Sequence, residues 1–319
     1  MNKLLVVYNT CGISGRRNVP QYINSLNHIL NQDLDGCKVI VSSCLNEHDD
    51  RQELINTFGN RLSYNFIDES LPVNVTFNHA LLKGVEEFGE FDGYLYIDSG
   101  INLPDSKTFR KIFDLYKSGS YGMVATRVDV DAGTNLWFGL GGYLGDESQT
   151  HTLYRDGHFD VPVGKAVNLH VQIWSAEMWE FFGRRAMPDI FASYCTESVF
   201  SFMCAALKSK WTVHKDTMVN HVHGMDGGSS GFEPKYTGRP PWQHLFKSPK
   251  TMQEIIADPV GIKAGFGYEE CENIMMHDPS QYDENGYCIN DDLAPWIKDN
   301  LFLKREQQDY DTIVHTWIP

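Results

Sequence analysis

Tyr94-Leu95-Tyr96-Ile97-Asp98-Ser99-Gly100 is four large apolar or aromatic residues in an unbroken run, closed by an acid and a turn, with Pro104 soon after. A short apolar run of this kind, running directly into an acid, reads as a strand. Asp98 then stands at the carboxyl end of that strand, where open α/β sheets bind their ligands. A carboxylate there can ligate a divalent cation or accept from ribose hydroxyls. Its other reading is a cap on the Ser99-Gly100 turn.

Outward from this strand, strands and helices alternate. Lys3–Tyr8 is a β-branched and Leu run that ends in the polar loop Asn9–Asn18. Pro20 suits a first helical turn, and Ile23, Leu26, Ile29 and Leu30 follow at helical spacing. Lys38–Val41 and Leu62–Ile67 read as strands around a short helix at Arg51–Phe58. Val75–Phe88 carries Phe77, Leu81, Val85 and Phe88 on one helical face. After the central strand come a helix at Phe109–Tyr116 and a strand at Met123–Val128. The alternation predicts an α/β fold, a mostly parallel, Rossmann-like sheet flanked by helices on both faces. The pattern loosens beyond residue 129, where Val167–Trp174 reads as a strand and Glu197–Leu207 as a helix. Two short extended segments, at Thr212-Val213 and Met218-Val219, lead into His221-Val222-His223.

Composition bounds the partners. The 319 residues are 42% hydrophobic and 22% charged, a globular composition. The formal charge is −15, but residues 251–319 hold 14 acidic and 4 basic side chains, so −10 belongs to a C-terminal extension. A near-balanced body excludes a polyphosphate bound along the whole surface, because neutralising phosphates takes clustered Lys and Arg. No stretch approaches the roughly 18–20 apolar residues of a membrane span. Asn2-Lys3 lead straight into Leu4-Leu5-Val6-Val7 without a signal peptide's apolar region, so the expectation is a cytoplasmic protein. Seven widely spaced cysteines with no Cys-x-x-Cys pair read as free thiols. Gly139, Gly141, Gly142 and Gly145 miss the dinucleotide-binding spacing and lie far from the first strand, which argues against a nicotinamide or flavin site.

The order of three segments resembles a known family. Val6-Val7-Tyr8-Asn9-Thr10, then Asn78-His79-Ala80 with Gly84, then Tyr94 to Gly100 is similar to the donor half of GT-A glycosyltransferases, especially the family 2 type. The resemblance covers about residues 1–225. It implies that the fourth strand ends in an Asp-x-Asp motif whose carboxylates hold a nucleotide sugar through a divalent metal. Asp98 matches the first acid, and Gly100 stands where the second is expected. Thr196-Glu197-Ser198, before the apolar run Val199 to Leu207, looks like the family's Glu-Asp motif, with Glu197 at the position of the catalytic base. His221 and His223 stand where the family places a histidine on metal or diphosphate; at i, i+2 on an extended segment both imidazoles share a face.

The resemblance implies a hexosyl- or pentosyltransferase that moves a sugar from a nucleoside diphosphate, a UDP-sugar in the first instance, to an acceptor hydroxyl with inversion. The acceptor would be a glycan, a small molecule or a modified nucleobase. Glu197 would be the base; Asn9, Thr10, Asn78, Asp98 and Ser99 the donor-binding residues; Asp98, His221 and His223 the ligands of Mn²⁺ or Mg²⁺. Residues 1–128 would form the nucleotide-sugar half, 129–245 the acceptor half of the same domain, and 246–319 the acidic extension. A nucleotidyltransferase on a similar sheet and a non-catalytic nucleotide- or sugar-binding module are the other readings. Trp137, Trp174, Trp179 and Trp242 are candidate stacking platforms.

Overall fold

The computed structural model describes residues 3–11, 19–44, 48–67, 73–119, 121–130, 158–163, 167, 170–188, 199–221 and 279–302. Four strands, β1 (Leu4–Cys11), β2 (Lys38–Cys44), β3 (Ser63–Ile67) and β4 (Gly93–Ile97), form a parallel block in the spatial order β3-β2-β1-β4. Every residue of β4 is buried, which is why its sequence shows no polar alternation. Tyr94 and Tyr96 enter one hydrophobic layer, Leu95 and Ile97 the other.

Each layer is roofed by helices. One layer takes α1 (Val19–Leu30), α2 (His48–Phe58) and α4 (Thr108–Ser118) through Leu26, Leu54, Phe109 and Phe113. The other takes α3 (Val73–Phe88), α5 (Ala176–Phe181) and α6 (Phe200–Ala206) through Phe77, Leu81, Trp179 and Met203. Helix α3 lies hard against the sheet at Gly84, where a Cβ would sit 2.6 Å from a Leu5 methyl and 2.8 Å from an Ile40 methyl. Trp174 and Trp179 are fully buried in this layer, so neither is a surface stacking platform.

Beyond β4 the sheet is mixed. Strand β8 (Val171–Ser175) runs antiparallel between β4 and β6 (Tyr121–Val130), and β9 (Lys210–His221) lies parallel to β6. Two short strands, β5 (Ile101–Asn102) and β7 (Phe159–Asp160), pair antiparallel with β9, completing nine strands. The sequence suggests two extended pieces around 214–217; the structure has one strand with a register shift against β6. In the polar run His214-Lys215-Asp216-Thr217, Lys215 N donates to His158 Nδ1 at 3.2 Å and the Asp216 carbonyl accepts from Lys111 Nζ at 3.1 Å. The His214 imidazole accepts from Asp216 N at 3.1 Å, and the Thr217 hydroxyl donates to the His214 carbonyl at 3.3 Å.

Part of the acidic extension belongs to the core. Helix α7 (Leu293–Leu301) and the residues around it bury Cys288, Leu293, Ile297 and Phe302 in the α3 layer. Phe302 stacks on Phe182, with ring centres 5.1 Å apart. Cys37, Cys204 and Cys288 are free thiols, in keeping with the sequence reading. Among the described residues no helix is long and apolar enough to cross a membrane.

Candidate functional site

Parallel pairing sets the ends of β1, β2, β3 and β4 on one edge. Tyr8 pairs with Ile97 and Asn9 with Ser42, so the next residue of β4, Asp98, shares a level with Asn9. Alternation then puts Asn9, Ser42 and Asp98 on the α3 side of the sheet, and Thr10 and Ser43 on the α1 side.

Asp98 is the exposed acid of this edge, with 28% of its side chain accessible. Its Oδ1 accepts from the Tyr96 hydroxyl at 3.1 Å and from Ser99 N at 2.9 Å, which fixes the carboxylate plane. Its own N–H donates to the His170 carbonyl at 2.8 Å, and Oδ2 lies 3.7 Å from the His170 imidazole Nδ1. Gly100 follows at φ +74°, a left-handed conformation that a glycine adopts without strain. The missing second acid thus coincides with a turn that disfavours a side chain.

Around Asp98 the edge is polar and mostly buried. Thr10 donates to the Ser42 carbonyl at 3.3 Å. Asn9 Oδ1 and Ser43 Oγ are buried with no hydrogen-bond partner among the described residues. A buried acceptor without a donor is costly, and a bound ligand with N–H or O–H groups relieves it. Ser99 is buried beside them. Tyr8 lies beneath, its phenol pushed far above the ordinary range by burial. Asn102 ties the loop to α1 by accepting from Gln21 and Asn24, both at 2.9 Å.

Asn78, the expected donor contact, is instead committed to the backbone. Its amide donates to the Met187 carbonyl at 2.7 Å, and its Oδ1 accepts from Ala186 N and Met187 N, both at 3.1 Å. Asn74, one turn earlier, donates to the Pro188 carbonyl at 2.7 Å. The two asparagines hold segment 186–188 against α3. The neighbouring His79 contributes to the edge: its Nδ1 lies 2.7 Å from Asn65 Oδ1, Asn65 donates to Ser42 Oγ at 3.2 Å, and Ser42 donates to the Thr76 carbonyl at 3.3 Å. Asn65 and His170 carry no motif, and the sequence reading assigned them nothing.

His221 ends β9, its backbone paired with Ile101 and Val130, which brings it to the same loop as Asp98. Glu197, His223, Trp137 and Trp242 lie outside the described residues. Among the described residues no three of His, Cys, Asp and Glu form a metal cage.

No protein-family profile matches the chain, and no curated protein does. Solved structures match at the level of the fold. GalNAc-T7 with UDP, GalNAc and Mn²⁺ superposes with a TM-score of 0.55 at 8% identity, over 100% of this chain and 58% of that one. S. aureus TarS 1–349 in complex with UDP gives 0.49 at 13% identity, over 68% of this chain and 60% of that one. The mannosyltransferase PcManGT from Pyrobaculum calidifontis, in complex with GDP-Man and Mn²⁺, gives 0.49 at 12% identity, over 99% of this chain and 85% of that one. The chain therefore spans about 60% of the length of TarS 1–349 and of GalNAc-T7. The superposition on GalNAc-T7, with the strand order and the helices on both faces, makes this a GT-A-like α/β fold.

Proposed function

We propose that this chain is a glycosyltransferase that carries a hexosyl or pentosyl group from a nucleoside diphosphate to an acceptor hydroxyl. The observation that carries the reading is the carboxyl edge of β1 and β4. There the carboxylate of Asp98, held in plane by Tyr96 and Ser99, stands level with the unpartnered buried amide oxygen of Asn9. Such an edge offers acceptors for ribose and base and one charge for a cation or a sugar, the requirements of a UDP-sugar. Asn9, Thr10, Asp98 and Ser99 would face the donor; Asn78 would support the site from behind.

The chemistry is a single displacement. The acceptor oxygen forms its bond to the anomeric carbon from the face opposite the diphosphate, and the carbon–oxygen bond to the diphosphate breaks with its electron pair. The acceptor proton passes to a carboxylate, for which Glu197 is the residue proposed, and the anomeric centre inverts. Mn²⁺ or Mg²⁺ on the donor, ligated by Asp98 and, with it, His221 or His223, would supply positive charge for the departing diphosphate. The acceptor is a hydroxyl on a glycan, a small molecule or a modified nucleobase.

Calorimetry with UDP, GDP and their sugars tests the donor. Asp98→Asn removes the charge and keeps the shape, so it should leave the unfolding midpoint nearly unchanged and weaken nucleotide-sugar binding about 10-fold or more, the scale of a charged hydrogen-bond acceptor. Unchanged affinity in Asp98→Asn would remove the edge as the donor site. Release of nucleoside diphosphate, rather than pyrophosphate, distinguishes sugar transfer from nucleotidyl transfer.

A further inference from the structure

We propose that His170 is a protein ligand of the donor-bound cation, taking the place of the acid missing at Gly100. The inference rests on the nucleotide-sugar reading above. It begins from strand pairing. β8 runs antiparallel to β4 with Val171 opposite Ile97, so the next pair outward is His170 opposite Asp98, closed by the 2.8 Å bond from Asp98 N to the His170 carbonyl. Directly opposed residues in an antiparallel pair project side chains to the same face with Cβ atoms about 5 Å apart. Imidazole and carboxylate are thus brought together by backbone register, held by five strand pairs.

The geometry suits a shared ion. Asp98 Oδ1 is occupied by Tyr96 and Ser99, which leaves Oδ2 as the atom turned toward His170 Nδ1 at 3.7 Å. Two donor atoms bound at about 2.1–2.2 Å to one cation lie roughly 3.0–3.8 Å apart for angles between 90° and 120°. Asp98 has 28% of its side chain accessible, so an ion arriving with a diphosphate meets the carboxylate first, and His170 Nδ1, itself buried, stands behind it as the inner donor. One carboxylate and one imidazole alone fall short of a three-ligand cage. Diphosphate oxygens, with the His221 or His223 proposed above, complete the shell, so cation and nucleotide bind together. An imidazole in the set also shifts selectivity: it suits Mn²⁺ and later transition ions better than Mg²⁺, which demands oxygen ligands.

The experiment uses the full chain with Mn²⁺ as the probe, alone and with UDP. Electron-spin-echo spectroscopy of bound Mn²⁺ should show nitrogen modulation from coordinated imidazole in the wild type and a shallower modulation in His170→Gln, any remainder coming from His221 or His223. Titration should show Mn²⁺ in the presence of UDP binding about 10- to 100-fold more weakly in His170→Gln, the range for disturbing a metal's ligand environment. The Mn²⁺ over Mg²⁺ preference should fall with it. His170→Asn is the second variant, and the wild-type spectrum needs no variant at all. Nitrogen modulation that is absent from the wild type, or that keeps its full depth in both variants, overturns the assignment. So does Mn²⁺ affinity at the wild-type level in both. Binding of UDP in excess chelator, with no gain from Mn²⁺, overturns this inference and leaves the donor reading standing. Absence of binding by UDP, GDP and their sugars under every condition refutes both.

Discussion

Asn78→Ala should cost this fold several kcal/mol while leaving the donor edge chemically intact. Three hydrogen bonds meet in the fully buried Asn78 amide: one given to the Met187 carbonyl and two received from Ala186 N and Met187 N. Ala186 and Met187 are themselves buried, so water does not replace the lost partners without opening the segment. An unsatisfied buried group costs roughly 1–3 kcal/mol, and partial relaxation trims the sum of three to about 3–5 kcal/mol. With a urea dependence of about 3 kcal/mol per molar for a chain of this size, the unfolding midpoint should fall by about 1–1.5 M. Asn78→Asp sharpens the test. It keeps both acceptor bonds but sets a carboxylate oxygen against the Met187 carbonyl, a repulsion that protonation converts into a hydrogen bond. Asn78→Asp should therefore gain stability relative to wild type as pH falls. A midpoint shift below about 0.3 M in Asn78→Ala, or unchanged stability with weakened nucleotide binding, would refute the strut and return Asn78 to the donor.

Other consequences are as direct. Gly84→Ala sets about 1 kcal/mol of helix propensity against overpacking on Leu5 and Ile40, for a net loss of about 1 kcal/mol; Gly84→Val should lose about 3 kcal/mol, and thermal unfolding of the pair checks the order. The pKa of His214 is depressed to about 4, first by burial and then by the neighbouring His158, against the pull of Asp216. The unfolded chain takes up that proton first, so stability should be lost as pH falls from about 6.5 to 4, by about 2 kcal/mol after solvent screening; His214→Gln should flatten that window in urea melts. Glu197→Gln should lower kcat by about 10²–10⁴-fold with donor affinity little changed, and wild-type turnover would remove Glu197 as the base.

The parallel block was legible because burial writes itself into composition. β4 is buried on both faces, so Tyr94 to Ile97 shows no alternation, and the carboxylate that follows marks the edge. Boundaries drifted where polar residues continue a strand: Asn9 and Thr10 look like loop, yet they belong to β1 and pair with Ser42 and Ser43. Asn78 was recognised as a candidate donor contact, while its bonds to segment 186–188 were legible only in its spacing. With Asn74 and Leu81 it lies along the face of α3 that packs inward, and a polar side chain there must find a buried partner. His170 left no signal, because its position is defined only by pairing with a strand 70 residues earlier in the chain. The continuity of β9 through His214 to Thr217 left no signal, because its polar groups find partners far along the chain, Lys215 N at His158 Nδ1 and the Asp216 carbonyl at Lys111 Nζ.

Helix α7 gives synthesis a schedule. The four parallel strands are complete by Ile97 and α6 by Ala206, whereas the α7 residues that join the same layer arrive only at Leu293 to Phe302. At translation rates of about 5–20 residues per second, those contacts follow α6 by roughly 4–17 s. The nascent chain thus carries a formed sheet edge while the α7 contacts of that layer are still unmade, a state that invites holding chaperones. A ribosome that stops short of α7 would release a sheet lacking the apolar contacts of Leu293, Ile297 and Phe302, which favours aggregation.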